Sequence, residues 1–322
     1  MPARDIETTP ADRTLERGCT LSGDVVRGRL YGESGPVVVV LGGISATRFV
    51  ADGDKHGYGW WGRLVRPGGA IDTNRVRVLG LDFAPNDDAH CPETITTTDQ
   101  SARLQALIAE HDLGPVSAIV GSSYGGMCAL AFARDFPDVV GRLCLIGAAH
   151  RPYPIGVGWR GIQRRVVRLA VDAGRPEDGL KLARELAMTT YRTPEEFEGR
   201  FDLGETSAAP PSFDICDYLG SRGDAFAARM DAQRFLALSE SIDLHRVEPE
   251  SITTPTLIMG AISDQLAPLP TLRELRDRLS GESELYTFTS LYGHDAFLKE
   301  YDQMTPRLAR FVDEALADTG AV

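Results

Sequence analysis

The sequence lacks any long hydrophobic run, although 43% of its 322 residues are hydrophobic. No apolar stretch approaches the roughly 20 residues of a membrane-spanning helix, and residues 1–5 lack the apolar core of a secretion signal. The mean hydropathy of −0.16 is typical of a soluble globular protein. We therefore expect a cytoplasmic protein with no membrane partner, long enough to form one α/β domain with an insertion.

Cysteine and positive charge are both scarce. The five cysteines are widely spaced and include no Cys-x-x-Cys pair, which favours reduced thiols over a disulfide framework or a zinc site. Lysine and arginine number 34 against 46 acidic residues, giving a net charge of −12. This charge argues against nucleic acid as a partner, whereas a local basic patch could still hold an anionic small molecule.

Strand-like and helix-like segments alternate through most of the chain. Runs of β-branched and apolar residues predict buried strands at 36–41, 75–81, 116–120, 142–147, 256–260 and 285–288. Helical spacing predicts helices at 98–111, 127–133, 272–279 and 296–317. This rhythm predicts a mostly parallel sheet with helices on both faces.

The alternation stops between residues 150 and 246. This stretch has no β-branched runs, and its pattern predicts helices at 162–173, 179–191 and 225–241. Such an excursion is typical of a helical cap inserted into a sheet. The predicted domains are a core at 1–149 and 247–322 and a cap at 150–246, with the first twenty residues loose or at a sheet edge.

One short motif indicates catalysis. The apolar run 116–120 leads into Gly121-Ser122-Ser123-Tyr124-Gly125, and small helix-forming residues follow. Strand, sharp turn and helix in this order form the nucleophile elbow of α/β-hydrolases, which presents a serine hydroxyl above the sheet. Ser123 is therefore the candidate nucleophile.

A serine nucleophile needs a base, and the base needs an orienting carboxylate. His294 lies in a loop between the last predicted strand and the last predicted helix, which is where this fold places its base. Asp264 follows the preceding strand and is the favoured acid; Asp243, in the last cap helix, is the second choice. The backbone N–H groups of Tyr124 and Ile44 are candidate oxyanion donors, because both loops can approach the reacting carbonyl.

Further segments are distributed along the chain in the order found in one family. They are Gly57-Tyr58-Gly59-Trp60-Trp61, residues 71–75, residues 94–100, Met188-Thr189-Thr190-Tyr191-Arg192-Thr193, residues 223–226 and 229–232, and Gly293-His294-Asp295-Ala296-Phe297. With them the chain resembles the homoserine O-acyltransferases, α/β-hydrolase enzymes that make O-acyl amino acids from acyl-CoA. The matches extend from about residue 25 to about residue 315.

The resemblance implies a ping-pong acyl transfer in methionine biosynthesis. It implies that Ser123 is acylated by acyl-CoA with Asp264 and His294 as its partners, and that Ile44 and Tyr124 supply the oxyanion donors. It also implies that Arg192 binds the amino acid's carboxylate and Asp295 its ammonium, which suits a zwitterion. The family further implies acyl-CoA as a co-substrate, no permanently bound cofactor, and a homodimer formed through cap helices.

The acyl group is open between acetyl and succinyl. In the family, the position two residues after the catalytic aspartate tends to be apolar in acetyl-transferring members and arginine in many succinyl-transferring ones. Leu266 occupies it here, which favours acetyl-CoA. The cap arginines 160, 164, 165 and 168 could meet CoA phosphates or a succinyl group, although a solvated or dimer-facing helix is favoured for them. An esterase or thioesterase using water and a non-catalytic binding protein are the competing interpretations.

Overall fold

The computed structural model describes residues 1–53, 57–85, 94–318 and 320. The strands within these ranges are β1 (Ala3–Thr8), β2 (Arg13–Thr14), β3 (Thr20–Leu21), β4 (Val26–Tyr31), β5 (Val37–Leu41), β6 (Val65–Arg66), β7 (Ile71–Asp72), β8 (Arg77–Leu81), β9 (Val116–Ser122), β10 (Val140–Ile146), β11 (Glu205–Ala208), β12 (Pro211–Phe213), β13 (Thr256–Ala261) and β14 (Ser283–Phe288). The α-helices are α1 (Thr97–Glu110), α2 (Tyr124–Asp135), α3 (Pro154–Asp172), α4 (Pro176–Tyr191), α5 (Pro194–Glu198), α6 (Asp214–Ala227), α7 (Ala232–Leu244), α8 (Leu269–Arg278) and α9 (Tyr301–Asp318).

Eight of the described strands form the central sheet, in the order β1-β4-β8-β5-β9-β10-β13-β14. The first two pairings, β1 with β4 and β4 with β8, are antiparallel. Every later pairing, from β8 to β14, is parallel. The predicted α/β architecture is confirmed, and the start of the chain forms an edge strand.

Strand β5 is buried along its whole length, as its uninterrupted apolar run predicts. Because side chains alternate across a strand, Val37 and Val39 pack on one face of the sheet with α1, α2 and α8. Val38 and Val40 face the opposite side and pack with α9. The sheet is thus covered on both faces, and its carboxyl-terminal edge is held rigidly.

The helices α3 to α7 lie between β10 and β13 in the chain and add no strand to the central sheet. They share a small hydrophobic cluster of their own, which includes Val167, Leu180 and Phe226. The single helix predicted at 225–241 is wrong, because the structure ends α6 at Ala227 and begins α7 at Ala232. The break has a local cause: the Asp231 side chain accepts from the backbone N–H of Arg234 at 2.9 Å and starts a new helix.

The last helix also begins later than predicted. Residues Gly293–Leu298 form a 3₁₀ turn, and α9 starts at Tyr301 rather than at Ala296. Five consecutive residues of this turn, 293–297, are buried, so burial here is not confined to one helical face. Among the described residues no helix is both long and apolar enough to cross a bilayer.

Candidate active site

Ser123 stands at the junction of β9 and α2, at the carboxyl end of the sheet. Its backbone has φ 51° and ψ −120°, outside the regions that L residues normally adopt. The strained turn is held by a hydrogen bond from the Ser123 N–H to the carbonyl of Ile146 in β10, at 2.8 Å. Such strain is characteristic of functional turns, and here it raises the serine hydroxyl above the sheet.

The glycines that flank Ser123 are required by packing. A methyl group on Gly121 would overlap the backbone of Gly125, and one on Gly125 would overlap the carbonyl of Leu41 in β5. Side chains at these two positions would therefore collide with the neighbouring strand and helix. The turn can form only when both positions are glycine.

The structure brings Ser123, His294 and Asp264 into one hydrogen-bonded chain. Ser123 Oγ lies 2.8 Å from His294 Nε2, and His294 Nδ1 lies 2.8 Å from Asp264 Oδ2. The carboxylate accepts from Nδ1–H, which leaves Nε2 as an acceptor for the serine proton. In this arrangement His294 can take the proton of the Ser123 hydroxyl while Asp264 orients the imidazole ring.

Asp264 is itself fixed by the chain that follows β13. Its Oδ1 accepts from the backbone N–H groups of Leu266 and Ala267, at 2.8 and 3.0 Å. Asp243, the second choice, lies elsewhere: its carboxylate pairs with Arg160 and Arg164 of α3. Only Asp264 has the geometry of a partner for His294.

Two opposing effects act on the pKa of His294. Burial disfavours the imidazolium, but the charge and hydrogen bond of Asp264, together with the charge of Asp295, outweigh burial and raise the pKa above its ordinary value. Arg160 acts in the opposite direction and lowers it. A base with a raised pKa accepts a proton readily, yet it must first be neutral to do so.

The candidate oxyanion donors are the N–H groups of Ile44, in the loop after β5, and of Tyr124, the residue after the nucleophile. Ile44 and Ser123 both line the cavity described below, and neither the Ile44 nor the Tyr124 N–H donates a hydrogen bond within the described ranges. The side chain of Tyr124 is buried, with its hydroxyl 2.7 Å from Ser241 Oγ. This anchor fixes the residue whose N–H follows the nucleophile.

A cavity of about 110 Å³ separates the sheet from the cap. Core residues such as Ser123 and His294 form its floor, and α3, α4, α6 and α7 contribute its walls. This space suits an acyl group and a small acceptor, whereas a molecule as large as coenzyme A would have to extend outside it.

Asp295 lines this cavity, and Arg192 lies directly behind it. Arg192 Nε donates to Asp295 Oδ2 at 3.3 Å, and its Nη1 donates to Glu196 at 2.9 Å. Gly293 allows this approach, because φ is +50° and a side chain there would overlap the carbonyl of Tyr191. The two residues expected to bind a zwitterion are therefore neighbours that already contact each other.

The described residues contain no group of three or more His, Cys, Asp or Glu side chains that could hold a metal ion. Four cysteines within the described ranges are free thiols, and Cys91 lies outside those ranges. Two of them, Cys128 and Cys144, are buried, and burial raises the pKa of each thiol. They have no part in the chemistry around Ser123.

Comparisons with known proteins agree with this geometry. The model of the alpha/beta hydrolase fold matches residues 36–301. A homoserine O-succinyltransferase of Xanthomonas campestris pv. campestris is 38% identical over 296 residues, which cover 89% of this chain and 77% of the relative. A homoserine O-acetyltransferase of Clavibacter michiganensis subsp. michiganensis is 30% identical over 93% of this chain and 90% of its own length. The chain belongs to the homoserine O-acyltransferase family.

A solved structure gives the same fold at lower sequence similarity. The homoserine O-acetyltransferase of Bacillus anthracis superposes with a TM-score of 0.87 at 19% identity, covering 97% of this chain and 98% of that one. The two relatives named above differ in the acyl group that their names carry. Membership of the homoserine O-acyltransferase family therefore does not decide which acyl donor this chain uses. The residues of its own cavity must decide it.

The cap arginines are the part of the site that sequence reasoning placed wrongly. Arg165 and Arg168 are exposed, as a solvated helix predicts. Arg160 and Arg164 instead point inward, with side chains only 13% and 12% exposed, and both pair with Asp243. An i, i+4 pair of arginines on one helix face, with an acid on a later helix, is the signal that could have indicated an inward face.

Proposed function

We propose that this chain is an acyl-CoA-dependent O-acyltransferase that acts on the side-chain hydroxyl of L-homoserine by a ping-pong mechanism. The observation that carries the proposal is the chain of hydrogen bonds from Ser123 through His294 to Asp264, placed on the floor of a cavity that Asp295 also lines. The family relatives support the same assignment. Within this proposal the enzyme works in the cytoplasm, in methionine biosynthesis.

The first half-reaction acylates Ser123. As Oγ forms a bond to the thioester carbonyl carbon, its proton moves to His294 Nε2, and the N–H groups of Ile44 and Tyr124 stabilise the oxyanion. The carbon–sulfur bond then breaks, and the departing sulfur takes the proton from His294. Free coenzyme A and an acyl ester on Ser123 are the products.

The second half-reaction reverses these steps with a different nucleophile. His294 takes the proton of the homoserine hydroxyl, whose oxygen attacks the ester carbonyl, and the bond to Ser123 Oγ breaks as Oγ recovers a proton from His294. O-acyl-homoserine leaves, and the free serine is restored. Asp264 holds the imidazole in the required tautomer throughout.

Recognition of the amino acid rests on Asp295 and Arg192. Asp295 uses Oδ2 for Arg192, which leaves Oδ1 to accept from an ammonium group. Arg192 uses Nε and Nη1 for Asp295 and Glu196, which leaves Nη2 for a carboxylate. An acceptor held by both groups presents its hydroxyl at a high effective concentration, and transfer then outcompetes hydrolysis.

A homodimer belongs to the same proposal. Helix α3 exposes Ile155, Ile162 and Leu169, with 48%, 43% and 71% of their surface accessible. Their spacing of seven residues places them along one stripe of the helix, as in helices that pack against a second helix. We propose that this stripe contacts a second copy of the chain.

The test of the transferase function follows free thiol. Purified protein is incubated with acetyl-CoA or succinyl-CoA, with and without homoserine, and the acyl amino acid is identified by mass spectrometry. We expect thiol release beyond the first turnover to depend on homoserine, and all thiol release to disappear in Ser123→Ala. Equal release with and without homoserine would show that water is the acceptor, and unchanged turnover in Ser123→Ala would exclude the mechanism. Serine in place of homoserine tests the acceptor.

A further inference from the structure

Arg160 of α3 is a cation in the cavity wall that the two half-reactions do not use. Its Nε donates to Asp243 Oδ1 at 2.6 Å, so one end of the guanidinium is anchored. Neither Nη1 nor Nη2 donates a hydrogen bond within the described chain, and neither atom is fully buried. Two parallel N–H donors therefore remain available toward the cavity.

The positive charge of Arg160 is only partly compensated. Asp243 pairs with Arg160 through one oxygen at 2.6 Å and with Arg164 through the other at 2.7 Å. One carboxylate thus serves two guanidinium groups, and one positive charge is left over. Arg164 also donates to the carbonyl of Ser239, which holds it away from the cavity lining. The surplus charge is therefore presented to the cavity by Arg160.

Arg160 and Leu266 both border Gly156, and Leu266 is the position weighed above for the choice between acetyl and succinyl. A Cβ atom at Gly156 would lie 3.2 and 3.3 Å from the two Nη atoms and 3.3 Å from Leu266 Cδ2. The glycine leaves room for the planar group. Leu266 in turn donates its N–H to Asp264, and the charge of Arg160 lowers the pKa of His294, so the cation acts on the triad.

We propose that Arg160 binds a carboxylate at the far end of the acyl group, so that the preferred donor is a dicarboxylic acyl-CoA of succinyl type. This inference rests on the proposed function, because it concerns the acyl group that Ser123 receives. A guanidinium fork matches the two oxygens of a carboxylate. Acetyl offers no group to this fork, and binding it would desolvate the cation without a new partner. The apolar Leu266 therefore does not imply acetyl transfer in this chain.

Arg184 is the other arginine that must be weighed. It also lines the cavity, but its guanidinium carbon lies 5.5 Å from the ring centres of Tyr191 and Phe226. Its surroundings are an aromatic wall on α4 and α6, whereas Arg160 borders Gly156, as Leu266 does, and acts electrostatically on His294. Arg160 is the better placed of the two for an acyl group on Ser123.

The experiment measures the first half-reaction alone, so that it does not depend on the acceptor. Wild-type protein is mixed with succinyl-CoA or with butyryl-CoA, a neutral acyl donor of the same carbon number. The burst of thiol and the intact mass give the rate of Ser123 acylation. We expect wild type to favour succinyl, and Arg160→Met to lower the succinyl-to-butyryl rate ratio about 10- to 100-fold, the usual effect of losing a charge-assisted pair. Arg168→Met, which removes an exposed arginine of the same helix and leaves the Asp243 network intact, should change the ratio less than about 3-fold.

Three results would overturn the inference. They are a wild type that prefers acetyl- or butyryl-CoA, an Arg160→Met variant that slows both donors alike, and a selective loss in Arg168→Met or Arg184→Met instead. If Arg160→Met does not fold, Gly156→Ala decides, because its methyl group would lie 3.2 and 3.3 Å from the two Nη atoms and force the guanidinium to shift by a few tenths of an ångström. We expect the ratio to fall about 3-fold, and an unchanged ratio rejects the proposal. Normal acylation without transfer to homoserine would reject the proposed function and leave this inference standing. No acylation by any donor would reject both.

Discussion

Replacing Asp264 with asparagine tests the triad without changing its shape. Asp264 Oδ1 accepts from two backbone N–H groups, those of Leu266 and Ala267. The asparagine oxygen should take this place, because an amide NH₂ cannot accept from either group. The NH₂ of asparagine then faces His294 Nδ1, where the carboxylate oxygen was 2.8 Å away.

The consequence is a change of tautomer. With a donor opposite Nδ1, the neutral imidazole carries its proton on Nε2 and can no longer accept from Ser123 Oγ. The imidazolium also loses the carboxylate that stabilises it. For a serine triad these two losses together reduce kcat about 10⁴-fold, which corresponds to about 5.4 kcal/mol of transition-state stabilisation.

The pH profile gives a second readout with a definite sign. Asp264 raises the pKa of His294 and burial lowers it, so removing the carboxylate leaves burial dominant. Wild-type activity should be lost as pH falls through the raised pKa, because the base must be neutral. In Asp264→Asn the acidic limb of the residual activity should therefore move to lower pH.

The assay is the pre-steady-state thiol burst with the preferred acyl-CoA, measured across pH for both proteins, with circular dichroism as the folding control. Asp138→Asn is the matched variant, because this exposed acid contacts neither His294 nor the arginines of the cavity wall. A loss in Asp264→Asn of less than about tenfold, or an acidic limb that moves upward, would contradict the role assigned to Asp264.

Three further predictions concern stability, acceptor binding and assembly. Arg103 is fully buried and donates to both oxygens of Asp24, at 2.7 and 3.0 Å. In urea melts Arg103→Met should therefore lower the free energy of unfolding by about 3–5 kcal/mol, because it leaves the Asp24 carboxylate buried and unpaired. The double variant Arg103→Met/Asp24→Asn should recover part of this loss. Arg192→Ala should raise the KM for homoserine at least about tenfold while the acyl-CoA burst stays unchanged; a slowed burst would contradict its assignment to the acceptor. Ile162→Glu, which places a charge on the exposed stripe of α3, should give monomers in sedimentation velocity, and an unchanged mass would refute the proposed interface.

The fold and the three triad residues could be predicted because their signals are local. The nucleophile elbow is encoded by five successive residues, 121–125, and the turn itself requires glycine at positions 121 and 125. His294 and Asp264 each come directly after a predicted strand, and the carboxyl ends of parallel strands meet at one edge of the sheet. Pattern and topology together were enough to bring these side chains near Ser123.

The structure of the cap was harder to predict from the sequence, because its contacts join segments that are far apart in the chain. The inward turn of Arg160 depends on Asp243, which is 83 residues further along the chain, and no local pattern shows that pairing. The break between α6 and α7 depends on the single capping side chain of Asp231, which helical periodicity does not detect. Helix α9 starts late because residues 293–297, which include the base His294, are all buried and form a 3₁₀ turn instead.

The placement of Arg192 and Asp295 bears on which hydroxy amino acid can be the acceptor. Their contact need not break for a zwitterion to bind, since Asp295 Oδ1 and Arg192 Nη2 are both unused by it. Asp295 follows His294 directly in a buried 3₁₀ turn, so the distance between the ammonium anchor and the base is set by rigid backbone. Cap residue Thr193 also ties this region down, because its hydroxyl donates to the carbonyl of Leu291 at 2.8 Å. A substrate held at its ammonium must reach from Asp295 to Nε2 of His294, and serine and homoserine differ by one methylene in that reach. Under the proposed function we therefore expect the acceptor to be selected by length. Variants that loosen this turn should lose the preference for homoserine over serine even when they leave Ser123 acylation intact.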